Sequence, residues 1–294
     1  MSDFSFGGDW TQEKLGRVKA YLAAYVQALK SQPFRLAYID AFAGTGYQAL
    51  KQEDNPEKLL LPELVEDEPK RFIDGSAKIA LHIQPAFDKF IFIEKDFKRF
   101  AELQRLKTDV PDKASRMIFV NRDANDYLLE LLTNTRWRQT FDRAVLFLDP
   151  FGMQVPWTTI ETIAASQVID LWYLFPLGIA VNRMLKKDAN ISDSWRQKLD
   201  KLFGETAWYE EFYQDNPQMS LWPDEVQKVK DANWETIKNY LVKRLRTVFA
   251  GVASDPLPLF NSRNNPLYLL CFASGNPKGA PIAVNIAGHI LGKR

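Results

Sequence analysis

The sequence has little cysteine, little histidine, almost no net charge and no long apolar run. Cys271 is the one cysteine among 294 residues, which excludes an internal disulfide and a cysteine cluster for zinc or iron–sulfur. The histidines, His82 and His289, lie far apart along the chain, so we expect no metal site and no Ser–His–Asp triad. Because 38 Lys and Arg face 37 Asp and Glu, no overall basic field attracts nucleic acid.

The sequence also lacks a membrane segment. No stretch approaches the ~20 apolar residues that a bilayer-spanning helix needs. The first ten residues, MSDFSFGGDW, are polar and lack the apolar centre of a signal peptide. We therefore expect a cytoplasmic protein with no membrane partner.

Short apolar runs alternate with helical patterns through the first 176 residues. This alternation predicts βαβ units and an α/β fold with a largely parallel sheet. The runs are continuous rather than alternating, which indicates helices on both faces of the sheet. The predicted strands are 35–40, 89–93, 116–120, 143–148 and 168–175. The predicted helices are 11–30, 75–83, 96–107, 125–132 and 156–163.

We also expect two insertions in this fold and a last segment that completes its core. Residues 47–75 carry eight Asp and Glu against four Lys and Arg, and we expect an acidic insertion or lid there. Residues 177–250 predict a helical insertion, whose end, 226–250, holds six Lys and Arg against two acidic residues. Residues 251–294 contain a late strand and a closing helix, and we expect them to complete the core formed by 1–176.

Carboxylates follow four successive predicted strands. They are Asp40, Glu94, Asp123 and Asp149. In an open parallel sheet, ligands bind beyond the carboxyl ends of the strands. An acidic residue after the second strand, such as Glu94, can accept both hydroxyls of a ribose. The alternative is structural, because Glu94 and Asp123 also suit the first turn or the N-cap of a following helix.

Two short motifs give further support to a ligand site at the carboxyl ends of the strands. Gly44 and Gly46 follow Asp40 in a turn that lets the backbone approach a ligand closely. Their spacing is not that of the dinucleotide fingerprint GxGxxG, which disfavours an NAD-dependent dehydrogenase. In Asp149-Pro-Phe-Gly152, the carboxylate can accept an N–H from an amino group and Phe151 can stack on a planar base. The alternative is an ordinary turn, since Asp-Pro and Phe-Gly are common turn pairs.

Taken in order, these motifs resemble class I S-adenosylmethionine-dependent methyltransferases. The segment Asp40–Gly46 is similar to the DxFAGxG loop of DNA amino-methyltransferases, and DPFG is similar to that of tRNA guanine-N2 dimethyltransferases. Over nearly all of residues 10–294 the chain resembles the three-Cys-motif partner family. That resemblance rests on Tyr38–Gly46, Phe92–Asp96, Leu146–Gly152 and Pro266–Ser274.

The resemblance implies a Rossmann-like class I methyltransferase sheet, S-adenosylmethionine as cofactor and a role for each motif residue. The residues expected around the methionine part of the cofactor are Asp40, Ala41, Phe42, Gly44 and Gly46. Those expected around its ribose and adenine are Glu94, Lys95, Asp123 and Ala124. Those expected to hold the acceptor nitrogen are Asp149, Pro150 and Phe151.

Two functional hypotheses follow. The first is an N-methyltransferase that acts on an exocyclic amino group of a base in RNA or DNA. The second is a non-catalytic Rossmann-like interaction module that serves a three-Cys-motif partner protein, since DPFG lacks the second proline of the DPPY motif of the DNA enzymes. Methylation of a peptide or a small molecule has no dedicated support in the sequence.

Overall fold

The computed structural model describes residues 9–44, 75–134, 143–215 and 228–292. The predicted acidic insertion at 47–75, apart from Gly75, lies outside the described residues, as does Gly46. The division into a 1–176 core, a 177–250 insertion and a completing 251–294 segment stays a prediction.

One eight-stranded sheet organises the described chain. Its strands are β1 (Leu36–Asp40), β2 (Lys89–Ile93), β3 (Met117–Val120), β4 (Arg143–Leu148), β5 (Ile169–Phe175), β8 (Gly251–Val252), β9 (Leu257–Phe260) and β10 (Pro266–Ser274). Their order is β3-β2-β1-β4-β5-β10-β8, with β9 also pairing with β10. Strands β1 to β5 are parallel, whereas β10 runs antiparallel to β5, β8 and β9. The predicted Rossmann-like α/β sheet is confirmed.

Helices cover both faces of this sheet, as predicted. They are α1 (Asp9–Leu29), α2 (Ser76–Leu81), α3 (Phe97–Leu103), α4 (Leu106–Asp109), α5 (Ala124–Thr133), α6 (Trp157–Ala165), α7 (Asn182–Met184), α8 (Asp193–Phe203), α9 (Trp208–Phe212), α10 (Trp234–Arg246) and α11 (Ala280–Gly292). Helix 96–107, predicted as one element, is two, since α3 ends at Leu103 and α4 begins at Leu106. Within the described ranges, no helix is both long and apolar enough to cross a membrane.

The alternation of side chains along each strand builds two cores. In β1, Ala37 and Ile39 face one core, while Leu36 and Tyr38 face the other. The first core is completed by buried residues of α5, α6, α8, α9 and α10. The second, richer in aromatic rings, is completed by α1, α2, α3 and α11. The sheet is therefore the middle of three layers, and its strand ends are left at the edges.

The 177–250 region holds helices α7 to α10 together with a short pair of strands that the sequence did not predict. Strand β6 (Tyr213–Asp215) pairs with β7 (Lys228–Lys230) in antiparallel register. Helix α8 is capped at its start by Ser192, whose hydroxyl accepts the N–H of Trp195. Gly204 caps its end and adopts a φ of +73° that favours glycine.

Candidate functional site

The chain leaves β1 at the point where the sheet reverses its strand order. Strand β1 has β2 on one side and β4 on the other. The N–H of Ala41 donates to the carbonyl of Phe147 in β4 at 3.1 Å, and the N–H of Ala43 donates to that of Ile93 in β2 at 3.0 Å. The turn after Asp40 therefore lies across the carboxyl ends of both neighbours, where a doubly wound sheet opens its ligand crevice.

Asp40 ends β1 as a fully buried carboxyl group. The Tyr38 hydroxyl donates to its Oδ2 at 3.3 Å, whereas Oδ1 has no hydrogen-bond partner among the described residues. Burial raises the pKa of Asp40 from 3.8 to about 7, the Ser76 hydroxyl opposes the rise, and the charge of Asp149 adds to it. A buried carboxylate oxygen without a donor fits a ligand that brings an N–H or an ammonium.

Glu94 and Gly44 meet across the β1–β2 boundary. Glu94 is 6% exposed, and its Oε1 accepts the N–H of Asp96 at 2.7 Å. A Cβ on Gly44 would lie 2.5 Å from Glu94 Oε2 and 3.0 Å from Arg99 Cβ, so a larger residue would displace the Glu94 carboxylate. Burial raises the pKa of Glu94, while the N–H of Asp96, the charge of Arg99 and the N–H of Gly44 oppose the rise. A carboxylate has about four acceptor positions, so capacity remains for ribose hydroxyls.

Asp123 serves first as a helix cap. Its Oδ1 accepts the N–H of Asn125 at 2.9 Å, which confirms the structural alternative for this residue. Its Oδ2 lies 3.2 Å from Lys95 Nζ, and the Lys95 side chain is exposed. Burial raises the pKa of Asp123, but Lys95 and the Asn125 N–H outweigh it and the pKa lies below its usual range. Ala124 is buried in the first core, where it has a packing role.

Asp149 follows β4 and is paired with a lysine from the first helix. Lys14 Nζ lies 2.7 Å from Asp149 Oδ2, and the two side chains are 1% and 20% exposed. The ammonium also lies 5.3 Å from the centre of the Trp10 ring and 6.0 Å from that of Phe147. Asp149 is therefore held on one oxygen by α1 and remains partly open to solvent.

The loop after Asp149 is tied to the start of α5. The N–H of Phe151 donates to Gln154 Oε1 at 3.1 Å, and Asn125 Nδ2 donates to the Gln154 carbonyl at 3.0 Å. Gly152 adopts a φ of +68°, as a tight turn of this kind requires. Pro150 is buried, and Phe151 is half-buried. A cleft beside the loop is lined by Asn125, Met153, Gln154, Pro156, Lys198, Lys201 and Leu202.

The structure gathers the described candidate residues at one edge of the sheet. They are Asp40, Ala41, Phe42, Gly44, Glu94, Lys95, Asp123, Ala124, Asp149, Pro150 and Phe151. Sequence reasoning missed Lys14, although a signal was present. Lys14 falls on the apolar stripe of α1 with Val18, Tyr21 and Tyr25, where a lysine needs a partner when buried.

Comparisons with known proteins found distant structural likeness only. No family model and no curated protein matches the sequence. Protein LPL1258 from Legionella pneumophila is 11% identical, with a TM-score of 0.47 over 98% of this chain and 92% of that one. Magnesium protoporphyrin IX methyltransferase from Synechocystis, solved with bound SAH, is 11% identical, with a TM-score of 0.35 over 88% and 83%. At these identities and scores, function has to be inferred from the site itself.

Proposed function

We propose that this chain is an S-adenosylmethionine-dependent methyltransferase that acts on an exocyclic amino group of a nucleic-acid base. The observation that carries the proposal is the meeting of Asp40, Glu94 and Asp149 at the reversal point of the sheet, around a turn in which Gly44 lies against Glu94. Three acidic groups with different surroundings suit the three chemically different parts of this reaction.

The cofactor side would use β1 and β2. Asp40 Oδ1 is buried without a donor among the described residues, which suits the ammonium of the methionine moiety. Glu94 would accept ribose hydroxyls, and Ala41, Phe42 and Gly44 would line the methionine chain. Lys95, Asp123 and Ala124 would lie around the adenine, and Gly46 remains a prediction outside the described residues. The cofactor supplies a sulfonium methyl group when bound.

The acceptor side would use Asp149, Pro150 and Phe151. One Asp149 oxygen is held by Lys14, which leaves the other to accept a hydrogen bond from an acceptor N–H. Pro150 has no N–H that could compete for that carboxylate. Phe151 would stack on the base, and the buried rings around Lys14 would help to exclude water. Alignment and desolvation are the main requirements of an in-line displacement.

Support for nucleic acid comes from the cleft next to the Phe151 loop rather than from the basic run 226–250. Four of the six cations of that run lie within ion-pair distance of carboxylates. They are Lys228, Lys238, Lys243 and Arg244. Lys198 and Lys201, on α8, are exposed and line the cleft next to the Phe151 loop. We expect them to contact a phosphate near the acceptor site.

Calorimetric titration with S-adenosylmethionine and S-adenosylhomocysteine tests the proposal. We expect binding in the micromolar range by the unmodified protein and a loss of about tenfold or more in Glu94→Ala, since a hydrogen bond to a charged group contributes about 1.5–3 kcal/mol. Glu102→Ala, an exposed carboxylate on the neighbouring helix α3, is the matched control and should bind normally.

Absence of binding by the unmodified protein would contradict the methyltransferase proposal. The alternative, a non-catalytic module that serves a three-Cys-motif partner, would then be favoured. Recovery of a stable complex with such a partner by an Asp149→Ala variant, with its cellular function intact, would support that alternative.

A further inference from the structure

A buried cation lies against the carboxylate expected to hold the acceptor. Lys14 is 1% exposed, its Nζ lies 2.7 Å from Asp149 Oδ2, and aromatic rings of Trp10 and Phe147 flank it. Burying a lysine is unfavourable unless an opposite charge and hydrogen bonds compensate it. Lys14 therefore compensates the negative charge of Asp149.

We propose that Lys14 determines which acceptors the site takes, by neutralising Asp149 so that neutral amino groups are favoured over ammonium groups. The inference rests on the proposed function and goes beyond it, because it names Lys14 as the residue that selects acceptors by their charge. Asp149 alone would attract any cationic amine. With Lys14 at 2.7 Å, a second ammonium next to the same carboxylate would meet a like charge in a poorly solvated place.

The rule separates chemical classes of acceptor. An exocyclic amino group on a base is neutral at pH 7 because its lone pair is conjugated with the ring, and it can donate an N–H to Asp149 Oδ1. A lysine side chain, a peptide N-terminus or a polyamine carries an ammonium at that pH. The Lys14–Asp149 pair thus favours a base and disfavours the peptide amine class.

A structural role for Lys14 makes a different prediction. If the pair only anchors α1 to the sheet, removal of Lys14 leaves Asp149 less well positioned. A ligand that carries a cation at the position of the transferred methyl group then binds no more tightly, or more weakly. If the pair sets the charge of the site, removal of Lys14 leaves an uncompensated carboxylate. A cationic group at that position then binds more tightly.

Two ligands report this difference without a known acceptor. Sinefungin carries a protonated amine on carbon where the cofactor carries its sulfonium methyl, and S-adenosylhomocysteine carries neither. The ratio of their dissociation constants, measured by calorimetry at pH 7.5, therefore reports how the site responds to a cation beside Asp149. In Lys14→Met, which matches the shape of lysine without its charge, we expect the preference for sinefungin to rise about tenfold.

Matched variants complete the experiment. Lys19→Met removes an exposed lysine from the same helix and should leave the ratio unchanged. In Asp149→Asn the rise caused by Lys14→Met should disappear, because the carboxylate that attracts the amine is gone. Lys14→Gln, which keeps a donor but no charge, should act like Lys14→Met and provides a second measurement should the methionine variant fold poorly.

The outcomes separate this inference from the proposed function. If the unmodified protein binds neither ligand, the proposed function fails and the acceptor rule fails with it. If both ligands bind but the ratio is unchanged or lower in the folded Lys14 variants, the acceptor rule alone is overturned. A rise that survives in the Asp149→Asn background would also overturn it, since the attraction would come from another group.

Discussion

At the scale of single residues, Asp40 is the group whose protonation should report ligand binding. Burial raises its pKa to about 7, so at pH 6 the free protein holds this carboxyl mostly protonated. A ligand ammonium would stabilise the ionised form and lower the pKa. Binding of S-adenosylhomocysteine at pH 6 should therefore release close to one proton, and the release should fade by pH 8. Calorimetry in buffers of different ionisation enthalpy measures this number directly.

Two variants test whether Asp40 is the source of the released proton, one at the end of β1 and one near its start. Asp40→Asn should abolish the release, whereas Asp88→Asn should not, because Asp88 accepts the N–H of Leu36 at the start of β1. The apparent affinity of the unmodified protein should increase as pH rises from about 5 to 7 and level off above. An affinity that falls over that range, or a release that persists in Asp40→Asn, would show that another group titrates.

The carboxylates that end the strands were predictable from sequence, but their surroundings were not. Strand ends and acidic residues are local features, so Asp40, Glu94 and Asp149 could be proposed together. Which of them is buried without a donor and which is held by a lysine depends on side chains far away in sequence. Lys14 and Asp149 are separated by 135 positions, and only the docking of α1 joins them.

At the scale of elements, α1 is attached to the sheet by polar contacts embedded in an apolar face. Besides the Lys14 contact, the buried Tyr21 hydroxyl donates to Asp170 Oδ2 at 2.6 Å, and Arg17 Nη1 donates to the Ile290 carbonyl of α11 at 2.6 Å. Burial raises the pKa of Asp170, and the hydrogen bonds to that carboxyl oppose the rise. The position of α1 therefore depends on groups that are costly to leave unpaired.

Tyr21→Phe tests this attachment. It removes a donor and leaves the Asp170 carboxylate under-satisfied in the core, so the free energy of unfolding should fall by about 1–3 kcal/mol. Tyr25→Phe is the matched control, because the Tyr25 hydroxyl is buried and has no hydrogen-bond partner among the described residues. Its removal should be neutral or slightly stabilising. Urea denaturation followed by tryptophan fluorescence measures both, and equal losses in the two variants would contradict the assigned role of Tyr21.

Elements with a strong local pattern were predictable, and short ones were not. The five apolar runs became β1 to β5 with bounds shifted by one residue at most, because continuous burial on both faces leaves a clear signal. Strands β6 to β9 have two to four residues each, too few to show a period. The antiparallel pairing of β10 with β5 joins residues nearly a hundred positions apart, such as Leu269 and Phe175. No local pattern carries that information.

At the scale of the whole molecule, charge balance limits how nucleic acid could be held. With a net charge of +1, contact with phosphates has to come from local cations. Ion pairs also occupy much of the basic run 226–250, with Lys238 Nζ 2.8 Å from Asp255 and Lys243 Nζ 3.8 Å from Glu211. A proposed substrate contact through the cleft next to the Phe151 loop should therefore involve few phosphates.

Binding of labelled single-stranded RNA, followed by fluorescence anisotropy across about 50–200 mM salt, should accordingly show a shallow salt dependence. Each phosphate contact contributes about 0.7 to the slope of log K against log salt for single strands, so Lys198→Gln with Lys201→Gln should reduce the slope by about 1.4. Lys238→Gln with Lys243→Gln removes the same charge from α10 and should leave the slope unchanged. The reverse result would mean that RNA approaches α10 and that the cleft next to the Phe151 loop is not its route to the acceptor site.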